Sequence, residues 1–62
     1  MRKLWIVTKP TRDSELGDIV FSVTPREFYL QVKGGLVPDE IVWWTFSRAE
    51  AMSHGRNLLE RR

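Results

Sequence analysis

Glu40-Ile41-Val42-Trp43-Trp44-Thr45-Phe46-Ser47-Arg48-Ala49-Glu50-Ala51 is the stretch on which the fold turns. Every residue from Ile41 to Phe46 is β-branched or aromatic, the composition of a pleated strand. Ser47 stops that strand and starts a helix. Its hydroxyl can accept from the Glu50 amide, and the Glu50 carboxylate can accept from the Ser47 amide; S-x-x-E is a capping box. Phe46 before the cap and Ala51 at the fourth helical position make a weak hydrophobic staple. The stretch is therefore a strand-to-helix joint.

Downstream, the helix is expected from Arg48 to about Arg61. Ala51, Met52, Gly55, Leu58 and Leu59 share one stripe at helical spacing, which reads as core packing. Gly55 falls near the middle of that stripe. Glycine there costs about 1 kcal/mol relative to alanine, so its presence on the packed side implies a close helix–sheet approach. A tryptophan from the sheet is the expected occupant of the space.

Upstream, Lys3 to Lys9 reads as a first strand. Leu4, Ile6 and Thr8 lie on one face and Trp5, Val7 and Lys9 on the other. Pro10 ends it. Residues 11–18 show no periodicity and read as a polar surface loop turning at Gly17-Asp18. Ile19 to Thr24 reads as a second strand. Residues 25–33 admit two readings. Thr24-Pro25-Arg26-Glu27 carries a helix start: a cap, proline at the first helical position and an acid three residues after the cap. Against it, Phe28, Leu30 and Val32 alternate with Tyr29, Gln31 and Lys33, which reads as a third strand paired with the second as a hairpin. The strand is preferred. Gly34 to Asp39 is a loop, with Leu36 or Val37 tucked under the sheet edge.

The expected fold is α+β: one domain spanning 1–62, with a small antiparallel sheet of three to four strands packed on one C-terminal helix. The preferred order is β-β-β-β-α, and the alternative is β-β-α-β-α.

A chain of 62 residues buries only about 60% of its unfolded surface, so an added staple is expected. Cysteine is absent, which removes disulfides and thiolate metal sites. His54 is the only histidine, too few for a zinc or haem site. Self-association is the staple that remains. Ten basic and eight acidic residues leave a net charge of +2. No stretch reads as a signal peptide or a membrane span, and the expectation is a cytoplasmic, complete short product of a bacterial or phage gene.

Chemistry finds little footing. His54 lies four residues after Glu50, so a contact on one helix face is expected, and Ser53 points elsewhere. Asp39-Glu40 is a pair of neighbouring acids in a loop. Gly34-Gly35 lacks the strand–glycine–helix setting of a phosphate cradle. No catalytic, cofactor or metal residue is assigned. The reading is non-enzymatic, with no small-molecule substrate.

The sheet carries the functional expectation. One helix covers one face, and Phe46 leads into the helix, so its face, with Val42 and Trp44, is expected to be covered. The outer face then gathers Trp5, Tyr29, Ile41 and Trp43, an apolar patch of the kind that marks an interaction site. The expected partner is a protein or a second copy, a homodimer above all; the plain alternative is that loops bury the face. A second function for the same face is nucleic-acid binding, with aromatics stacking on bases and Arg2, Lys3, Lys9, Arg12 and Lys33 meeting phosphates. Thr45-Phe46-Ser47-Arg48-Ala49-Glu50-Ala51 and its flanks resemble the end of the small sheet-plus-helix, arm-binding domains of phage integrases. They are similar too to short bacterial domains with a strand, then Ser/Thr-x-x-Glu-Ala, then a helix. A shared capping box carries no function across. Because phosphate neutralisation dominates nucleic-acid affinity and the acids here nearly cancel the bases, protein binding is the preferred reading.

Overall fold

The computed structural model describes residues 2–35 and 41–62. The chain runs β1 (Leu4–Thr8), α1 (Leu16–Ile19), β2 (Val20–Val23), α2 (Pro25–Lys33), β3 (Ile41–Thr45) and α3 (Arg48–Glu60). The three strands form one antiparallel sheet in the order β2-β1-β3. The α+β class and the C-terminal helix stand, with three strands rather than four.

Residues 25–33 are helical, so the preferred third strand is corrected to the alternative order. The cause is local. Thr24 Oγ1 accepts from the Glu27 amide at 3.1 Å, the Glu27 carboxylate accepts from the Thr24 amide at 3.4 Å, and Pro25 occupies the first turn. Both orphan donors are satisfied before alternation can act. Consequently β2 pairs with β1, not with a neighbour across a hairpin. Its register sets Leu4 against Val23, Trp5 against Ser22, Ile6 against Phe21 and Val7 against Val20. The expected polar loop also ends in a helix. α1 begins where the Glu15 amide donates to the Asp18 carboxylate at 3.0 Å, and Ile19 belongs to this helix rather than to the strand. Leu36, Val37 and Asp39-Glu40 lie outside the described residues.

The joint at Ser47 forms as the sequence reads, with one addition. Ser47 Oγ accepts from the Glu50 amide at 3.3 Å. The Glu50 carboxylate does not close the box directly. The Ser47 amide donates to Thr45 Oγ1 at 3.1 Å, and Thr45 Oγ1 donates to Glu50 at 3.0 Å. A strand hydroxyl thus relays the cap and ties the end of β3 to the first turn of α3.

α3 covers the face opposite to the expected one. The core beneath it joins Val7, Ile19, Val20 and Ala51, with Trp5, Leu16, Met52, Leu58 and Leu59 packed around them. Gly55 is buried there: a Cβ added to it would meet Val20 Cγ2 at 2.7 Å and Leu16 Cδ1 at 3.0 Å. The close approach read from the sequence is present, and a valine and a leucine fill the space instead of a tryptophan. The far end of α3 is tied down by Arg62, whose guanidinium donates to the carbonyls of Thr11 (3.0 Å) and Ser14. Ser14 is buried, and its hydroxyl accepts from the Thr11 amide at 2.9 Å, which holds the turn between β1 and α1.

Candidate interaction surface

Alternation along β1 sends Leu4 and Ile6 to the face away from α3. Both are buried, Ile6 to 1% exposure. In register, Ile6 stands between Phe21 on β2 and Trp44 on β3. Those two flanking rings are themselves open to solvent, Trp44 to 54%. Phe46 is also exposed and meets Trp44 edge-on, with ring centroids 6.5 Å apart. The Arg2 guanidinium lies 4.6 Å from the Phe46 ring centroid, a cation–π contact at the rim.

α2 borders this surface without closing it. None of its own residues is buried. Phe28 is half-buried and, with Ile41, Val42, Trp43 and Trp44, lines a hollow of ≈ 540 Å³ between α2 and β3. Tyr29, Leu30 and Val32 are exposed, Tyr29 to 60%. Pro25, Phe28, Tyr29 and Val32 form one stripe on the helical wheel, so α2 is amphipathic and its apolar side is mostly unused.

A second, shallower hollow of ≈ 370 Å³ lies on the α3 side of the same strand, lined by Trp43, Glu50, Ser53, His54 and Asn57. Here the Trp43 indole stacks on the His54 ring at 5.2 Å and 12°. Glu50 and His54, expected to meet on one helix face, both line this hollow, and each has a further partner: His54 stacks on Trp43 and Glu50 accepts from Thr45.

β3 carries one extra residue. Val7 pairs with Trp43 and Thr8 with Ile41, so Val42 is the bulge; from Trp43 to Thr45 the pairing with β1 is regular. The bulge swings Ile41 onto the face of Thr8, away from α3.

The four residues expected to form one patch are therefore divided. Tyr29 stands exposed on α2, and Ile41 is half-buried in the wall of the larger hollow. Trp5 lies under α3 against the core, with the Arg48 guanidinium 5.8 Å from its ring, and Trp43 is exposed as expected but stands on the α3 side, stacked on His54. Phe21, Trp44 and Phe46 are exposed, which corrects the expectation that the face of Trp44 and Phe46 is the covered one. No pattern marks them, since β1 and the 41–46 stretch are apolar on both faces.

The basic residues are spread out. Arg2 and Lys3 precede β1, and Lys9 and Arg12 follow it. The six residue steps of extended chain from Lys3 to Lys9 span about 20 Å. Lys33 ends α2.

Comparison with protein-family models, with curated proteins and with solved structures yields no match.

Proposed function

We propose that this chain is a non-enzymatic protein-binding module. Its working surface is the sheet face turned away from α3 together with the outer stripe of α2. One observation carries the reading: Phe21, Trp44, Phe46, Tyr29 and Val32 are all exposed in a chain of 62 residues. Exposed large apolar groups that meet one another mark interaction sites, and the Trp44 and Phe46 rings meet edge-on. Tryptophan, tyrosine and arginine dominate binding energy at interfaces, and Trp44, Tyr29 and Arg2 are of these types. The dispersal of the basic residues and the near balance of charge weigh against phosphate recognition.

Sedimentation equilibrium over a wide concentration range tests this. The wild type is expected to exceed its monomer mass of 7.3 kDa, and a Tyr29→Ser/Trp44→Ser/Phe46→Ser variant to remain monomeric with unchanged far-UV circular dichroism. A wild type that stays monomeric and binds a single-stranded oligonucleotide in a saturable, salt-sensitive way would replace this reading with the nucleic-acid one.

A further inference from the structure

We propose that the occupant of this surface is a second copy of the chain, joined edge to edge through β3 so that two three-stranded sheets become one of six strands. The proposal rests on the protein-binding reading above and names its partner.

Among the described residues β3 has a neighbouring strand on one side only, and that neighbour is β1. Among the described residues no strand pairs with its outer edge. Edge strands are commonly protected by a charge, a proline or a covering element. Ile41-Val42-Trp43-Trp44-Thr45 contains neither charge nor proline. Its bulge sits at the Val42 end and leaves Trp43–Thr45 regular.

The two hollows show what shape fits. One lies on each face of the sheet, and both are bounded by this strand through Trp43. An occupant that fills both at once must straddle the edge and send side chains alternately to the two faces, which is the geometry of a strand. It must offer large apolar groups to the hollow beside α2, whose lining is Phe28, Ile41, Val42, Trp43 and Trp44. On the other side it meets the Trp43 ring beside Glu50, Ser53, His54 and Asn57.

β3 itself has this composition. A two-fold axis normal to the sheet at Trp44 makes the pairing antiparallel and keeps each face with its like. Trp44 of one copy then lies opposite Trp44 of the other, over the apolar hollows, with both α2 helices on that side of the seam. Trp43 of each copy lies opposite Thr45 of the other, on the α3 side. Like charges directly opposite destabilise a strand pair, and this strand contains none to oppose. A self-complementary, neutral edge suits an isologous contact better than a charged ligand.

The test places a charge on the axis. Trp44→Lys and Trp44→Glu variants are each expected to weaken the dimer roughly a thousandfold, because a hot-spot side chain is lost twice and like charges face one another. Mixed one to one, they are expected to recover a dimer, read by sedimentation equilibrium. The chain has no cysteine, so a Trp44→Cys variant gives an independent reading: oxidation is expected to link it to a covalent dimer, and a control with Asp13→Cys, exposed in the turn after β1 and outside both hollows, is expected to stay largely unlinked. Circular dichroism of each variant checks the fold. A wild-type dimer whose lysine and glutamate variants fail to recover on mixing, and whose Trp44→Cys variant does not cross-link, overturns the edge pairing and leaves the binding face standing. A wild type that stays monomeric at every concentration overturns the pairing outright, and the binding face falls with it when the oligonucleotide titration is also positive.

Discussion

Gly55 sets how close α3 comes to the sheet. A methyl group there would fall 2.7 Å from Val20 Cγ2. Val20 is buried and β-branched, so it has few rotamers into which to retreat. Gly55→Ala gains about 1 kcal/mol of helix propensity but overpacks the core at a cost of about 1–3 kcal/mol. The clash with a stiff side chain wins, and the urea midpoint is expected to fall; a rise would show that α3 can shift outward freely. Trp43 and Trp44, adjacent in sequence and 44% and 54% exposed, are expected to differ in association rather than sharply in stability. Trp43→Ala removes the stack on His54 and lowers stability by about 2 kcal/mol, roughly half the loss of a fully buried ring. Trp44→Ala removes a ring that is 54% exposed, so it costs the monomer somewhat less than Trp43→Ala does, while association is lost as well. Urea denaturation at a concentration where only monomer is present separates the two.

At the scale of elements, α2 and α3 present a contrast. Both start with well-formed caps. α3 has 13 residues and buries Ala51 and Gly55. α2 has nine and buries none. Isolated helices shorter than about 12 residues are marginal in water, and packing normally supplies what propensity does not. In the monomer α2 is therefore expected to open locally: its amides should exchange faster than those of α3, with a free energy of opening well below the global one. Thr24→Ala removes the cap that starts α2. It is expected to speed exchange in α2 by roughly fivefold, for about 1 kcal/mol of capping, and to leave the urea midpoint of the core unmoved. Equal exchange rates in α2 and α3 would show that α2 unfolds only with the whole domain.

The whole molecule has a small core. Leu4, Ile6, Val7, Ile19, Val20 and Ala51 are its buried apolar residues among those described. Two further ties act at its edges: the Thr45 relay between β3 and α3, and the Arg62 guanidinium on the turn after β1. Such a domain gains stability from anything that binds its folded form, and a second copy does so by mass action. The thermal midpoint is expected to rise with protein concentration for the wild type and to be independent of it for Trp44→Lys. A midpoint that ignores concentration in the wild type would mean that the folded state stands without association.

What could be read from the sequence was local. The Ser47–Glu50 and Thr24–Glu27 boxes are four-residue signals whose donors and acceptors lie within one turn, and both helices start where those signals stand. The 3.6-residue stripe identified the packed side of α3, including the buried Gly55. At 25–33 the capping signal and the alternation conflicted. The structure follows the cap and leaves Leu30 exposed, because a satisfied helix start outweighs a two-residue period that no neighbouring strand supports. The choice of sheet face was not in the sequence. A period of two assigns residues to faces but names neither face as inner, and β1 presents Leu4 and Ile6 on one side and Trp5 and Val7 on the other. Only the tertiary structure decided it. The extended backbone at Ser47 and the Thr45 hydroxyl carry the chain across to the Trp5–Val7 side. There Ile19, Val20 and Leu16, distant in sequence, supply the other half of the core, and Trp44 is left in water.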